Sequence, residues 1–276
     1  MRDLRDKNVV VTGAASGIGK ATAELLARRG ARLYLCDLDE TKLKEAAAPL
    51  GASVAMARRV DVSKRADVQA FASEVEGAVG AIDVLVNNAG VGLGGNILET
   101  SLDDWEWVLG VNLWGVIHGC HFFVPKMAAA RRGHVVNIAS GLGLLAAPDV
   151  IGYSTSKFAV VGLSESMRGE LHAYGIGVST ICPGIIDTNI VQTTRYKRDA
   201  DATRERVVSL YKKRAYPADK VASAVLSAIE HDRAVVPVSP EAWAAYWLKR
   251  YAPSLAGVVS RVAAKHAAPS PPGRGR

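Results

Sequence analysis

Tyr153 and Lys157 are the residues of this chain best suited to move a proton between a protein and a bound oxygen. They are four positions apart, so a helix would place the ammonium on the same face as the phenol. A nearby cation favours phenolate, and we expect it to lower the pKa of Tyr153 from its ordinary value of about 10. The pair could then act as general base on an alcohol or general acid on a ketone.

Ser140 fits the same chemistry. Ser140 ends an apolar strand segment, where its hydroxyl could hold a substrate oxygen near Tyr153. Taken singly, each residue has an ordinary structural interpretation: Ser140 as a strand-end cap, and the Tyr-Lys pair as an exposed helix pair. Only their joint occurrence behind a nucleotide-binding motif indicates catalysis.

A glycine-rich turn near the N-terminus is such a motif. Thr12-Gly13-Ala14-Ala15-Ser16-Gly17-Ile18-Gly19 follows an apolar strand and opens a helical pattern. Glycines let a backbone approach a pyrophosphate, and a helix N-terminus offers free N–H groups. Asp37 ends the next strand, where an acidic residue can accept from ribose hydroxyls, although it could also be a turn residue or an N-cap.

Asp37 also predicts which dinucleotide binds. A carboxylate accepts from the 2′- and 3′-hydroxyls of the adenosine ribose but repels a 2′-phosphate. The neighbouring Ser16 and Leu38 carry no positive charge, and Arg58 and Arg59 are expected at a strand end. NAD is therefore favoured over NADP.

With these motifs, the chain resembles the short-chain dehydrogenase/reductases. Asp61-Val62 resembles the family's adenine-contacting pair, and Asn87-Asn88-Ala89-Gly90 its strand-four motif. Pro183-Gly184 and the following Ile186 and Thr188 resemble the segment that holds the nicotinamide carboxamide. The resemblance covers about residues 5–238, in order.

The resemblance implies a catalytic tetrad of Asn112, Ser140, Tyr153 and Lys157, in which Asn112 holds a water and Lys157 also donates to the nicotinamide ribose. It implies a homodimer or homotetramer paired through the helices at 102–130 and 153–174. The cofactor-binding residues that follow from it are Gly13, Ser16, Gly17, Ile18, Gly19, Asp37, Leu38, Asp61, Val62, Asn88, Ala89, Gly90, Tyr153, Lys157, Pro183, Gly184, Ile186 and Thr188.

The elements that must position these residues alternate between apolar strands and helical patterns. Strands buried on both faces, with helices between them, predict an α/β fold with a doubly wound parallel sheet. We expect one Rossmann domain of about seven strands at residues 1–238. The predicted strands are 8–12, 32–37, 52–60, 84–87, 134–138, 177–183 and 234–238, and the predicted helices 17–29, 40–49, 64–79, 102–130, 153–174 and 218–231.

A C-terminal extension follows this domain. Residues 239–268 have an amphipathic helical pattern that Pro253 should divide, with apolar residues recurring from Trp243 to Val259, and 269–276 are disordered by composition. The stripe, with its accompanying basic residues, could lie on anionic lipid through residues 239–266. Packing on the pocket or across a subunit interface is the interpretation we favour.

Charge and composition limit the classes of function. The 276 residues are 49% hydrophobic and 22% charged, which excludes a disordered chain. Residues 1–194 carry 18 basic and 20 acidic side chains, whereas 195–276 carry 16 and 7. The basic residues there form no dense run interleaved with stacking aromatics, so no nucleic acid is expected. The excess of positive charge at this end indicates either a solvated surface or a contact with an anionic ligand or an anionic surface.

The compartment and the metal content are predicted from the same sequence. Three widely spaced cysteines fit a reducing compartment, and with no signal peptide or uninterrupted stretch of about 18 apolar residues, we expect a cytoplasmic protein. No metal site is expected, because His118, Cys120 and His121 have no further ligands to complete a set.

Three segments should frame the substrate: 91–96, 141–152 and 185–216. The first two are glycine-rich and apolar, which favours a lipophilic body around one alcohol or ketone, such as a sterol, terpenoid or long-chain compound. The third is too long for an ordinary loop and is predicted to be a lid. Its basic residues could be a solvated face or could meet a carboxylate, a carrier or a membrane: Arg195, Lys197, Arg198, Arg204, Arg206 and Lys212-Lys213-Arg214.

The predicted function is hydride transfer between NAD(H) and a lipophilic secondary alcohol or ketone. An NADPH-dependent 3-oxoacyl-carrier reductase is the main alternative, which Asp37 and the extension disfavour. A non-catalytic nucleotide-binding redox sensor is the other, and it would have no need of the tetrad.

Overall fold

A seven-stranded parallel sheet forms the centre of the protein in a computed structural model that describes residues 1, 3–188, 190–197, 200–255 and 257–258. The sheet order is β3-β2-β1-β4-β6-β7-β9, and a separate pair, β5-β8, is also parallel. The strands are β1 (Asn8–Thr12), β2 (Arg32–Asp37), β3 (Val54–Arg59), β4 (Val84–Asn87), β5 (Leu93–Gly94), β6 (Gly133–Ile138), β7 (Ile176–Cys182), β8 (Arg195–Tyr196) and β9 (Val235–Pro237).

Helices cover both faces of this sheet. They are α1 (Gly17–Arg28), α2 (Glu40–Ala47), α3 (Arg65–Val79), α4 (Leu102–Leu109), α5 (Gly115–Ala129), α6 (Ile151–His172), α7 (Ile190–Thr193), α8 (Ala200–Arg214), α9 (Ala218–His231) and α10 (Pro240–Tyr251). One apolar core lies between the sheet and α1 with α9, and the other between the sheet and α3, α5 and α6. The predicted single-domain, doubly wound α/β fold is confirmed.

The strand order reverses between β1 and β4, and this reversal creates a crevice at the carboxyl ends of the strands. Ligands of open parallel sheets bind at such a switch point, because the two neighbouring connections leave on opposite faces and separate there. The predicted site residues follow these carboxyl ends.

The prediction that every strand is buried on both faces is wrong for β3. It is the outermost strand, and most of its side chains are at least partly exposed. It also begins two residues later than predicted, because a 3-10 segment occupies Ala48–Ser53.

The predicted helix at 102–130 is continuous but not uniform. A π-helical turn at Gly110–Trp114 joins α4 to α5. Leu102–Ala129 is long and apolar enough, by length and composition alone, to cross a membrane. Phe123 and Met127 of this helix are nevertheless buried against the sheet, as in the core helix of a folded domain.

The lid segment, residues 185–216, is not a bare loop: it contains α7, β8 and α8. The extension begins at Pro240 as predicted, and α10 ends at Tyr251, before Pro253. Residues 253–255 and 257–258 are helical. The predicted stripe residue Val259 and the tail 269–276 lie outside the described residues.

Candidate active site

The glycine-rich turn forms the first wall of the crevice. Gly13 and Gly17 have φ values of +65° and +54°, which L side chains rarely adopt. A Cβ on Gly19 would lie 2.0 Å from the carbonyl oxygen of Gly13, so only glycine allows this packing. Asn88 fixes the turn from β4, because its Nδ2 donates to the carbonyl oxygens of Thr12 and Gly13 at 3.0 and 2.9 Å.

Asp37 faces this turn from the end of β2. Its Oδ2 accepts from the Ala15 N–H at 2.9 Å, and its Oδ1 accepts from the Asp39 N–H at 3.1 Å. The carboxylate is thus directed toward the glycine turn, as the interpretation as a ribose ligand requires. The structure places Arg59 opposite Asp37 in the β2–β3 register, closer than the sequence suggested.

Asp61 and Val62 follow β3, next to Asp37. Asp61 Oδ1 accepts from the hydroxyl and N–H of Ser63 at 2.6 and 3.1 Å. The carbonyl oxygen of Val62 lies 2.9 Å from Nδ1 of His118. His118 is therefore a satisfied, buried helix residue, as expected.

Lys157 is the central cation of the site. Only 3% of it is exposed, its Nζ donates to the carbonyl oxygen of Ile138 at 3.0 Å, and Nζ lies 5.7 Å from the centre of the Tyr153 ring. Burial disfavours its charge and lowers its pKa to about 8. An ammonium has three donors, so capacity remains for ribose hydroxyls.

The expected lowering of the Tyr153 pKa is wrong for this structure. Burial raises the pKa of Tyr153, and a hydrogen bond with the Ser140 side chain only partly opposes this. Lys157 lies over the ring and donates to Ile138, so its charge does not offset the burial of the phenol. Tyr153 and Ser140 are nonetheless brought together as predicted.

Asn112 lies in the π-helical turn and is completely buried. Its Oδ1 accepts from the Val91 N–H at 2.8 Å, and its Nδ2 donates to the Val91 carbonyl at 2.9 Å and to Ser156 Oγ at 3.1 Å. The side chain thus fastens the segment after β4 to α6. Its role as a water ligand stays a prediction.

The segment after β7 closes the other side of the crevice. The carbonyl of Pro183 accepts from the Gly141 N–H at 2.7 Å, so this segment is tied to the one that carries Ser140. A Cβ on Gly17 would lie 3.3 Å from Thr188, which places the segment against the glycine turn. Ile186 is 3% exposed and belongs to the core, so its backbone is the part available to a ligand.

The structure adds contacts that the sequence did not reveal. Glu241 Oε1 accepts from the Ile185 N–H at 2.9 Å, and Arg214 donates to Glu241 Oε2. Lys197 lies 2.7 Å from the buried carboxylate of Asp104. No local motif marks these pairs, because each joins elements far apart in the chain.

These residues fit a dinucleotide. The α1 N-terminus and the glycine turn form a cradle for a pyrophosphate, and Asp37 stands where a ribose would follow. A Cβ on Gly90 would lie 3.5 Å from Lys157 Nζ and 3.3 Å from Asn112 Oδ1. The absence of a side chain at Gly90 therefore leaves space in front of the ammonium.

Comparisons with known proteins agree with this geometry. Residues 7–199 match the family model described as short chain dehydrogenase. "Probable oxidoreductase EphD" of Mycobacterium tuberculosis is 39% identical over 93% of this chain, and the chain spans 45% of the length of that protein. "CLA biosynthesis dehydrogenase/reductase" of Lactiplantibacillus plantarum is 32% identical over 87% of this chain and 91% of that protein.

A solved structure shares the whole fold. A short chain dehydrogenase/reductase from Burkholderia phymatum, in complex with NAD, superimposes with a TM-score of 0.86 at 36% identity, covering 92% of this chain and 96% of that one. The motifs, the crevice at the switch point and these matches lead to one conclusion. The chain belongs to the short-chain dehydrogenase/reductase family of oxidoreductases.

Proposed function

We propose that the protein transfers a hydride between NAD(H) and a lipophilic secondary alcohol or ketone. One observation carries this proposal: at the crevice, a Cβ on Gly90 would lie 3.5 Å from the Lys157 ammonium, which itself lies 5.7 Å from the Tyr153 ring. The adjacent Asn88 fastens the glycine turn. The same crevice can therefore hold a dinucleotide and move the proton that accompanies hydride transfer.

The proton transfer belongs to Tyr153, with Ser140 holding the substrate oxygen. In reduction the Tyr153 hydroxyl would donate its proton to the substrate carbonyl oxygen; in oxidation Tyr153 would accept the alcohol proton after losing its own. A bound nicotinamide would supply or accept the hydride. Lys157 orients the cofactor ribose, and its charge lies 5.7 Å from the phenol ring. Asn112 positions these groups indirectly, because it fastens the segment after β4 to α6 through Val91 and Ser156.

The preference for NAD rests on Asp37. Its carboxylate is directed toward the glycine turn, where it would repel a 2′-phosphate. The similarity to a protein whose structure contains NAD supports this choice. Arg59 is the group that could weaken the preference, because it lies opposite Asp37.

The preference for a lipophilic substrate rests on the lid segment. Several of its cations are engaged within the chain: Arg195 stacks on Trp107 at 3.7 Å, Lys197 pairs with Asp104, and Arg214 pairs with Glu241. Cations already used in this way are less available to an acidic carrier or carboxylate. The apolar segment 91–96 contacts the lid directly, because β5 pairs with β8, and Gly95 bridges to Val150 of the segment 141–152.

The reductase acting on a carrier-linked 3-oxoacyl group is the second candidate. Lys212 and Lys213 favour it, because both are exposed at the end of α8 and could meet an anionic carrier.

We further propose a homodimer or homotetramer in the cytoplasm, as the family resemblance implies.

The test is a paired titration and a substrate screen. Purified protein is titrated with NADH and NADPH, and reduction of NAD and NADP is then followed over steroid, terpenoid, aliphatic and 3-hydroxyacyl thioester alcohols. We expect tighter NADH binding and turnover of apolar secondary alcohols. Preference for NADPH together with thioester turnover would establish the second candidate instead.

A further inference from the structure

We propose that Glu241 is a positioning residue that fastens both ends of the lid segment to the nicotinamide side of the active site. The inference rests on the proposed function, because it assigns Glu241 to the same reaction. Glu241 lies in the first turn of α10, within the extension that the family resemblance does not cover.

Glu241 contacts the lid segment at its beginning and at its end. Oε1 accepts from the N–H of Ile185, the first residue of the segment, at 2.9 Å. Oε2 accepts from Arg214, in the last turn of α8. A Cβ on Gly184 would lie 2.5 Å from Oε1, so the carboxylate occupies the space beside the Pro183-Gly184 turn.

The carboxylate is charged at neutral pH. Burial alone would raise the pKa of Glu241, but hydrogen bonds from the Ile185 N–H, Ser239 and Arg214 outweigh burial and lower it. About a third of the Glu241 side chain and two fifths of Arg214 are exposed, so water screens the pair only in part. The interaction is therefore ionic as well as hydrogen-bonded.

The Glu241–Arg214 pair also holds the end of α8, the helix that carries Tyr211. Tyr211 lies one turn before Arg214 and is half-buried. Burial raises the pKa of Tyr211, and electrostatic interactions with Tyr153, Tyr196 and Glu241 raise it further. The pair therefore fixes where α8, with Tyr211, lies relative to α10.

The next residue of α10 anchors this arrangement to Ser140. Ala242 is 1% exposed and packs on Gly141, the residue after Ser140. A Cβ added to Gly141 would lie 3.6 Å from the Cβ of Ala242. One helix start therefore contacts the nicotinamide segment, the lid and the segment after β6. Nucleotide bound along residues 183–188 and closure of the lid are coupled through Glu241.

The test compares Glu241→Gln and Arg214→Gln with a surface control, Lys220→Gln, at an exposed position of α9. Glutamine keeps an oxygen for the Ile185 N–H but loses the ionic pair. We expect both test variants to raise the substrate KM about fivefold, the effect of roughly one net hydrogen bond, with kcat within about twofold. NADH affinity should fall by up to the same factor, because the coupling between nucleotide and lid is reciprocal. The double variant should resemble either single one, because both remove the same pair.

Hydrogen exchange supplies a readout that does not need turnover. NADH should increase protection of peptides from 185–214 in the wild type, and less so in Glu241→Gln. Unchanged substrate KM and unchanged lid protection in both variants would overturn the proposal, as would equal effects from Lys220→Gln. If the wild type binds no NADH, the proposed function fails, while faster lid exchange in nucleotide-free Glu241→Gln would still support the fastening role.

Discussion

At the scale of residues, one side chain of the candidate active site, that of Lys157, lowers the stability of the fold. Lys157 is buried with one backbone acceptor, the Ile138 carbonyl, among the contacts of the described residues. Burying a charge costs free energy unless it is paired, which is why the pKa of Lys157 falls to about 8. Function explains why such a residue is kept.

Lys157→Met should abolish turnover and raise the melting temperature at pH 7, because an apolar side chain of similar length removes the buried charge. The folded-state pKa of about 8 lies below the ordinary lysine value of 10.5, so the wild type gains stability as the pH rises between them. The difference in melting temperature between Lys157→Met and the wild type should narrow as the pH rises from about 8 to 10.5. Melting curves from pH 7 to 10.5 measure it, with exposed Lys126→Met as control; a variant less stable at pH 7 would contradict the argument.

Asp37 is the residue that we propose sets the nucleotide preference. Replacing Asp37 by Ala removes the repulsion of a 2′-phosphate, and Leu38→Arg adds a bidentate partner on an exposed side chain. With Arg59 opposite, the double variant should shift the ratio of NADPH to NADH affinity by about tenfold or more. Paired fluorescence titrations measure the ratio, with Leu38→Arg alone as control. A wild type that already prefers NADPH would show that Asp37 is misassigned.

At the scale of elements, the lid segment is held by contacts along its length as well as at its ends. β8 pairs with β5, and Lys197 lies 2.7 Å from Asp104. Asp104 is 5% exposed and also closes the capping box of α4 with Ser101, and hydrogen bonds from Lys197 and Ser101 lower its pKa to about 2.

Lys197→Met should loosen the lid, because it leaves the Asp104 carboxylate buried without its cation. We expect a loss of about 1–3 kcal/mol in unfolding free energy and a higher substrate KM, with NADH affinity little changed. Urea unfolding and steady-state kinetics test this against Lys212→Met on the exposed face of α8. Equal behaviour of the two variants would mean that the ion pair does not hold the lid.

The sequence indicated the sheet and the catalytic set because both depend on local patterns. Each apolar strand, the glycine turn and the Tyr-Lys spacing is a pattern that spans only a few neighbouring residues. Glu241 and Lys197 could not be predicted, since their partners Arg214 and Asp104 come close only after folding. The exposure of β3 was missed for a similar reason: a run of apolar residues does not show which strand lies at the edge of a sheet.

At the scale of the whole molecule, the aromatic stripe of α10 is unexplained by the active site. Trp243, Trp247 and Tyr251 stack in sequence along one face and are 36%, 45% and 75% exposed. Packing on the pocket, one of the two favoured interpretations, is therefore wrong for these three side chains in the single chain, in which Ala242 contacts Gly141. Packing across a subunit interface, the other favoured interpretation, stays a prediction. A subunit interface or a lipid surface remains to cover the stripe.

The two surfaces separate in a flotation experiment with anionic liposomes at low and high salt. We expect the full chain not to float. Deletion of residues 239–276 should reduce activity on large substrates more than it reduces NADH binding. Co-flotation at low salt that is lost at high salt and on deletion would instead assign the stripe, with Lys249 and Arg250, to a membrane. Sedimentation of the same samples reports whether the deletion changes the oligomeric state.

Tyr153→Phe tests the central claim most directly, because it removes the proton-transferring hydroxyl and keeps the ring. The claim predicts that turnover falls by at least about a hundredfold, the low end of what acid–base catalysis contributes. NADH should still bind with nearly wild-type affinity in a fluorescence titration, since the glycine turn, Asp37 and Lys157 are unchanged. Turnover above about a hundredth of the wild-type rate, with NADH affinity intact, would contradict Tyr153 as the proton-transferring residue.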